Sequence, residues 1–238
     1  MYNNKHFTAI VLAAGRGSRM KSDIPKQFMM VAGEKVIYYS LKAFQDSDVD
    51  RIILVTGKDY ISFCKKDIVE KYAFDKVTDV IAGGDERYLS VKNGLELAAG
   101  TDYVMIHDGA RPCIDQDMIR RSMDEVIKCG ACTVGVPAKD TIKVVDKDNF
   151  GIDTPDRNTL WQVQTPQSFM YNDLINAYEL MQKDSSTMIT DDTMIMEKYL
   201  NKKSRLIMGD YRNIKITTPE DILIAELLLK NSRKCCKI

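Results

Sequence analysis

This chain of 238 residues lacks two features that would mark large classes of protein, an excess of one charge and a long hydrophobic segment. Its 34 basic and 34 acidic residues give a formal net charge of zero, whereas nucleic-acid-binding proteins usually carry a basic excess. The longest apolar run near the start, residues 9–14, is far shorter than the roughly 20 residues of a membrane helix and too short for a secretory signal. We therefore expect a cytoplasmic protein with no nucleic-acid partner and no membrane span.

The six cysteines do not indicate a disulfide framework, because a chain of this length buries a core without such staples and no export signal accompanies them. Cys129 and Cys132 have metal-knuckle spacing, but no second cysteine or histidine pair follows at the spacing of a zinc site. We interpret them as buried thiols at a helix-to-strand turn. Histidine is scarce, and of the two present, His107 is expected to be a packed strand residue rather than a base.

What the sequence does have is an alternation of apolar, β-rich segments with segments of helical periodicity. Buried strands that alternate with helices predict an α/β fold, with a mostly parallel sheet covered on both faces. No linker or repeat interrupts the pattern, so residues 1–238 are expected to form a single domain. The predicted strands are residues 8–13, 51–56, 76–82, 103–107, 132–137, 204–208 and 213–217, and the predicted helices are residues 36–44, 60–72, 86–99, 115–128, 171–183, 191–199 and a last helix that opens at 218–221.

The alternation breaks between residues 138 and 165. Within this stretch, residues 141–145 alternate like an exposed strand, residues 147–149 are typical of a turn, and residues 150–154 can return as a second strand. The pattern predicts a polar hairpin that stands off the main sheet.

A glycine-containing loop, L-A-A-G-R-G-S-R-M at residues 12–20, follows the first strand. Its small residues let backbone N–H groups approach a ligand at the carboxyl end of the sheet, where open α/β folds bind their ligands. Met20 stands where a dinucleotide fingerprint has its third glycine, and no Gly-Lys-Ser/Thr sequence closes a Walker loop, which disfavours a dehydrogenase. With Arg19 and Lys26 nearby, the loop is typical of a polyphosphate site, the alternative being a surface turn with solvated charges.

Two further strand ends carry groups suited to a nucleotide. The segment A-G-G-D-E-R-Y-L-S at residues 82–90 places two glycines before a helix, with Ser90 one turn into it, and offers a second backbone site for an anion or a base. The segment I-H-D-G-A-R-P at residues 106–112 places Asp108 where Mg²⁺ is usually held or positioned in a phosphate cleft. A plain helix cap and a plain Asp-Gly turn are the structural alternatives.

These segments together resemble a known family. Seven motifs together resemble those of the 2-C-methyl-D-erythritol 4-phosphate cytidylyltransferases of the non-mevalonate isoprenoid pathway. In chain order they are L-A-A-G-R-G-S-R-M, P-K-Q, G-G-D-E-R, H-D-G-A-R-P, K-D-T-I-K, D-R-N-T-L-W-Q-V-Q-T-P-Q and N-I-K-I-T. Ribitol-5-phosphate cytidylyltransferases share the first loop, H-D-x-x-R-P and T-P-Q, and remain the alternative, although D-R-x-x-L-W at residues 156–161 favours the first family. A non-catalytic nucleotide-binding module is a second alternative, and the presence of Arg19 and Lys26 speaks against it. One departure from the commonest pattern is Gly109, where alanine is frequent.

The resemblance implies a Rossmann-like nucleotidyltransferase fold with a protruding β-arm at about residues 138–159, through which two subunits form a homodimer. It also implies three groups of site residues. The catalytic cations would be Arg19, Lys26 and Lys215; the CTP contacts would be Ala13, Ala14, Gly15, Gly83, Ser90, Asp108 and Gly109; and the sugar-phosphate contacts would be Asp140, Thr141, Arg157, Thr165 and Thr190, some of them from the partner subunit.

The reaction implied by the resemblance is the transfer of CMP from CTP to 2-C-methyl-D-erythritol 4-phosphate, with release of pyrophosphate. A phosphate monoester is largely dianionic at neutral pH, since its second pKa is about 6, so no strong general base is needed. Mg²⁺ or another divalent cation is the cofactor that the resemblance implies, held mainly by the CTP phosphates, with Asp108 as a candidate ligand. Together with the catalytic cations it would stabilise the charge of the transition state.

Overall fold

The structure is a computed structural model, and it describes residues 1–15, 17, 20, 22, 24–184 and 189–235, with side chains as far as residue 231. Seven of its strands build one sheet in the order β11-β7-β10-β6-β1-β4-β5. These strands are β1 Phe7–Ala13, β4 Arg51–Thr56, β5 Val77–Ala82, β6 Tyr103–Asp108, β7 Ala131–Pro137, β10 Trp161–Met170 and β11 Arg205–Met208. Two short pairs lie outside it, β2 Met30–Val31 with β3 Glu34–Lys35, and β8 Val144–Val145 with β9 Gly151–Asp153.

Helices lie between strands along the chain and cover both faces of the sheet, and one further helix follows the last strand. They are α1 Val36–Gln45, α2 Ile61–Phe63, α3 Arg87–Leu97, α4 Gln116–Cys129, α5 Tyr171–Met181, α6 Asp192–Leu200 and α7 Pro219–Cys235. A 3₁₀ turn at Lys58–Tyr60 precedes α2, and π-helical turns at Cys64–Glu70 follow it. The predicted ends of α4 are confirmed, because the Asp115 carboxylate accepts the Met118 N–H at 2.8 Å and Gly130 adopts a left-handed conformation with φ of 76°. None of the helices described is long and apolar enough to cross a membrane.

The prediction of a mostly parallel α/β sheet is confirmed. β1 pairs in parallel with β4 and β6, β4 with β5, and β7 with β11, whereas β10 runs antiparallel to both β6 and β7. Strand β10 was not predicted, because Pro166 and three glutamines interrupt its apolar pattern. Its polar residues Gln164, Thr165 and Gln167 are nevertheless buried, which is a pattern that hydrophobic periodicity does not detect.

The predicted strand at residues 213–217 is wrong. This segment is no part of the sheet and instead passes the carboxyl end of β6 and the middle of the antiparallel strand β10, where the side-chain amide of Asn213 donates to the carbonyl of Thr165 at 3.0 Å. The backbone N–H of Ile216 donates to the carbonyl of Ala110 at 2.9 Å, and Nη1 of Arg111 donates to the carbonyl of Asn213 at 2.7 Å. Loop and side-chain groups therefore satisfy this backbone where a neighbouring strand was expected, and Lys215 is brought to the edge of the sheet.

The predicted hairpin exists, with shorter strands than residues 141–145 and 150–154 suggested. β8 and β9 pair only with each other among the residues described and lie apart from the seven-stranded sheet. The apolar side chains of this hairpin are exposed, to 70% for Phe150 and 65% for Ile152. The prediction for the nearby cysteine pair holds for Cys132, which is buried on β7, but is wrong for Cys129, which ends α4 and is exposed.

The core consists of apolar layers on the two faces of the sheet. α1 and α4 contribute Leu41 and Met118 to one layer, while α3, α5 and α6 contribute Leu95, Tyr178 and Ile195 to the other. α3 approaches β1 closely, since a β-carbon built on Gly94 would lie 2.7 Å from Cγ2 of Ile10. This close packing fixes the first turn of α3 at the carboxyl end of the sheet.

Candidate active site

A cleft of about 700 Å³ opens at the carboxyl ends of β1, β4, β5 and β6. It is formed where the loops that follow these strands meet, the usual ligand position in an open α/β sheet. Its walls are residues 12–15, 25–27, 57–60 and 83–87, with Ser90, Asp108, Ala110 and Lys215.

One wall of the cleft combines the first loop with the turn that carries Lys26. The side-chain amide of Gln27 donates to the carbonyl of Ala13 at 2.5 Å and to that of Gly15 at 3.2 Å. Phe28, the next residue, packs against Tyr60 with ring centroids 4.8 Å apart. Because its neighbours in the chain are fixed in this way, the half-buried Lys26 is held beside the first loop at the cleft.

The second glycine loop packs directly on the first. A β-carbon on Gly83 would lie 2.5 Å from Cβ of Ala14 and 2.5 Å from Oγ of Ser90, so only glycine allows this approach. The hydroxyl of Ser90 accepts the N–H of Gly84 at 3.1 Å. Ser90 therefore fixes the loop from the first turn of α3, and the predicted CTP residues Ala14, Gly83 and Ser90 lie in contact.

A cluster of three cations surrounds the carboxylate of Asp108, at the end of β6. The ammonium of Lys215 lies 2.7 Å from Oδ2, Nε of Arg87 lies 3.3 Å from Oδ1, and Nε of Arg111 lies 4.0 Å from Oδ2. Burial alone would raise the pKa of Asp108, but the charges of Arg87, Lys215 and Arg111 outweigh it and hold this pKa well below its usual range. Asp108 is therefore ionised at any pH at which the protein would work.

Asp108 fits the role of a protein-held metal ligand poorly. Both of its oxygens face cations, and no group of three or more His, Cys, Asp or Glu side chains in the described part of the chain is arranged to hold a metal ion. Hard divalent cations prefer several oxygen ligands, which the phosphates of a nucleotide supply. The metal role of Asp108 stays a prediction that this geometry does not favour.

A chain of hydrogen bonds fixes the backbone beside Asp108. Since the carbonyl of Arg111 can only accept, Nε2 of His107 donates to it at 3.3 Å, and Nδ1 of His107 then accepts from the hydroxyl of Thr165 at 2.9 Å. The oxygen of that hydroxyl accepts the backbone N–H of Asp108 at 3.1 Å. Burial lowers the pKa of His107 from 6.5 to about 4. His107 is thus a neutral, packed strand residue, as predicted.

Two of the other predicted site residues, Gly109 and Thr165, lie next to Asp108. Gly109 follows Asp108, and a β-carbon there would lie 2.5 Å from Cδ1 of Ile37 and 2.9 Å from the carbonyl oxygen of Leu12, so in this chain the missing methyl group relieves close packing. Thr165 is buried against Asp108. Arg19 lies outside the described residues.

The remaining sugar-phosphate candidates are exposed and do not line the cleft of their own chain as far as the structure describes it. They are Asp140, Thr141, Arg157 and Thr190. Arg157 donates from Nη1 to the carbonyl of Lys139 at 2.9 Å, at the base of the hairpin. Thr190 stands immediately before the N-cap of α6, Asp191.

Four features of the site were missed at the sequence level. Gln27, Arg87 and Arg111 stand inside motifs that were singled out, but nothing in their spacing indicated which carbonyl or carboxylate they would meet. The segment Lys58–Tyr60 also lines the cleft. Its position directly after a predicted strand was the signal that could have found it.

The sheet, the paired glycine loops and the cationic cleft define an α/β protein with the fold of nucleotidyltransferases. The family model for 2-C-methyl-D-erythritol 4-phosphate cytidylyltransferase, IspD, matches residues 7–231. This chain belongs to that family.

Relatives of known sequence and structure agree with this assignment. The 2-C-methyl-D-erythritol 4-phosphate cytidylyltransferase of Lachnospira eligens is 51% identical over 225 residues, which cover 94% of this chain and 99% of the relative. That of Lachnoclostridium phytofermentans is 50% identical over 223 residues, covering 94% and 96%. The crystal structure of 4-diphosphocytidyl-2C-methyl-D-erythritol synthase from Anaerococcus prevotii superposes with a TM-score of 0.83 at 33% identity, covering 95% of this chain and 96% of that one.

We expect the low pKa of His107 to make folding stability depend on pH. The folded-state pKa of about 4 lies below the ordinary 6.5, so the unfolded chain takes up a proton first as the pH falls. The contribution is complete above pH 6.5 and is lost as the pH falls towards 4, by about 2 kcal/mol between pH 7 and pH 5. Urea unfolding of a His6→Gln variant, in which His107 is the sole histidine, measures it. The His6→Gln/His107→Gln double variant should lack this loss, and an equal loss in both would contradict the assignment.

Proposed function

We propose that this chain transfers the cytidylyl group of CTP to 2-C-methyl-D-erythritol 4-phosphate and releases pyrophosphate. The observation that carries the proposal is the cleft itself, in which two glycine loops packed on each other face Lys26 and Lys215 in a chain of this family. Exposed backbone and lysines suit a triphosphate, which presents several negative charges.

The chemistry follows from charge and position. An oxygen of the acceptor phosphate attacks the α-phosphorus of CTP in line, an O–P bond forms, and the bond to the β-phosphate breaks so that pyrophosphate leaves. Lys26 and Lys215 hold the phosphates, bring the two anions together and stabilise the growing charge. Arg19, the third cation of the prediction, would add to them. The phosphate oxygens of CTP would bring Mg²⁺ into the cleft, where it would offset part of their negative charge.

Asp108 has a separate role in this scheme. Its carboxylate keeps Lys215, Arg87 and Arg111 together at the end of β6 while the cleft is empty of anions. When a phosphate enters, Lys215 can turn to it without a large movement, because its side chain is partly exposed at 38%. Ala13, Gly15 and Gly109 complete the nucleotide site through their backbone.

The choice of acceptor tests the proposed function. Purified protein with CTP should release pyrophosphate with 2-C-methyl-D-erythritol 4-phosphate and much less with ribitol 5-phosphate. A preference for ribitol 5-phosphate would mean that the proposed acceptor is wrong, while the assignment as a cytidylyltransferase would stand. No release with either, in protein that binds CTP by calorimetry, would favour a non-catalytic nucleotide-binding module.

Lys26 provides the sharpest test of the catalytic assignment. Lys26→Ala should lower kcat on the order of 10²–10³-fold, by analogy with the loss of one donor to a transition-state oxyanion, while the melting temperature stays close to wild type. Lys128→Ala, at an exposed position on α4, is the matched control and should leave kcat unchanged. Near-normal turnover of Lys26→Ala would refute the assignment.

We further propose that the β-arm, residues 138–159, reaches a second subunit and that the active site is shared across a homodimer. An isolated two-stranded hairpin is marginally stable in water, and this one exposes a row of apolar side chains that a partner would cover. These are Ile142, Val144, Val145, Phe150 and Ile152. The arm candidates Asp140, Thr141 and Arg157, which lie outside the cleft of their own chain, would then serve the neighbouring one, with Thr165 and Thr190 supplied at the receiving site.

Subunit exchange tests the shared site. If Arg157 serves the neighbouring cleft, a mixed dimer of Lys26→Ala and Arg157→Ala subunits has one site with both lesions and one with neither. Random pairing makes about half the dimers mixed, so activity should recover to about a quarter of wild type after dissociation and reassociation. Absence of recovery, with exchange verified by mass spectrometry of differently tagged subunits, would place Arg157 in its own subunit's site.

A further inference from the structure

Arg87, the first residue of α3, contacts two carboxylates at once. Its Nε lies 3.3 Å from Oδ1 of Asp108, and its Nη1 lies 2.9 Å from Oδ2 of Asp192. Asp108 belongs to the cleft, whereas Asp192 is the first residue of α6 and has no exposed surface. The guanidinium therefore joins the cleft to a helix on the face of the sheet.

Asp192 is the point at which the start of α6 is fixed to the rest of the protein. The hydroxyl of Tyr178 on α5 donates to Oδ1 of Asp192 at 2.6 Å, and the backbone N–H of Asp192 donates to Oε1 of Gln167 at 3.0 Å. The amide of Gln167 in turn donates to Oδ2 of Asp191, the N-cap of α6, at 2.9 Å. Arg87 adds the link to α3 and β6.

The ion pair between Arg87, whose side chain is 28% exposed, and the fully buried Asp192 needs an explanation beyond the stability of α6. Removing a carboxylate from water costs several kcal/mol, which its attraction to a cation often only offsets, and apolar replacements of similar volume are frequently as stable. α6 already buries Ile195 and Met196 in the apolar layer. What the pair adds is geometry, because the planar fork of arginine can hold two carboxylates in fixed relative positions, which the single ammonium of lysine cannot do as well.

We propose that Arg87 is a positioning residue that fixes the start of α6, and with it Thr190, relative to Asp108, so that the acceptor phosphate is aligned with the nucleotide. The inference rests on the proposed function, in which Thr190 contacts the acceptor. Thr190 stands two residues before Asp192 in the chain, so a shift of Asp192 moves it directly. The rate of in-line transfer is sensitive to displacements of about 1 Å, so a contact that fixes the position of the acceptor site should affect catalysis.

The test separates use of the acceptor from binding of CTP in Arg87→Gln and Asp192→Asn. Asp192→Asn should raise the KM for 2-C-methyl-D-erythritol 4-phosphate about tenfold or more, while the CTP affinity measured by calorimetry stays within about threefold, and Arg87→Gln should raise that KM at least as much. The double variant should be no worse than the more damaged single variant, because both substitutions break the same link. Arg87→Lys should restore only part of the loss.

Ile195→Val is the matched control. Ile195 lies on α6 and is fully buried, so its truncation weakens the packing of the helix while the ion pair stays intact. Its KM for the acceptor should equal that of the wild type although its melting temperature falls. If Arg87 served stability alone, the Arg87 and Asp192 variants would behave like Ile195→Val, with a lower melting temperature and an unchanged KM for the acceptor. That result would overturn the proposal.

The remaining outcomes are also decisive. An equal loss of CTP affinity would make Arg87 a nucleotide contact and overturn the proposal. If Arg87→Gln does not fold, Arg87→Lys and Asp192→Asn, which preserve more of the shape, give the answer. If the wild type is inactive with the acceptor, the proposed function is overturned, but the proposal that Arg87 links Asp108 to the start of α6 is not. Hydrogen exchange without ligand would then test the Arg87 link. The amides of residues 192–194 should exchange faster in Asp192→Asn than in the wild type, and unchanged exchange would refute the link.

Discussion

The site depends on one carboxylate, that of Asp108, and on the three cations that surround it. Without that charge, Lys215, Arg87 and Arg111 would repel one another at the end of β6. With it, a cluster of net positive charge stands next to the two glycine loops before any ligand arrives. An arrangement of this kind attracts anions and needs little reorganisation when they bind, which is how electrostatic stabilisation of a transition state works best.

Buried polar side chains hold the backbone around this charge cluster in place. Gln27 fixes the first loop, Ser90 fixes the second, and Thr165 holds the N–H of Asp108 with neutral His107 behind it. Each such group must keep its partners, because an unpaired polar group in the interior is costly. The cleft is therefore held by side chains whose burial makes alternative positions costly, and the lysines to which we assign the chemistry, Lys26 and Lys215, are partly exposed at its rim.

The sequence allowed the α/β class and most strands to be predicted, because periodicity and strand-end glycines are local signals. The first loop, Asp108 and Lys26 could be assigned to one cleft since parallel strands end at the same edge of the sheet. Strand β10 could not be predicted, because Pro166 and three glutamines interrupt its apolar pattern. The segment that carries Lys215 could not be placed either, because its backbone is bonded to Arg111 and Ala110, about 100 positions earlier in the chain. The pairing of Arg87 with Asp192 could not be predicted either, since the two residues are 105 positions apart in the chain.

If Asp108 organises the cations of the site, its charge should be needed for turnover, and the steady-state kinetics of Asp108→Asn with CTP and 2-C-methyl-D-erythritol 4-phosphate measure this. The substitution keeps the shape of the side chain and removes its charge. We expect a folded protein whose kcat/KM for the acceptor falls about 10²-fold or more, comparable to the loss of a preorganised transition-state donor. A folded Asp108→Asn protein with kcat/KM within about threefold of wild type would contradict it.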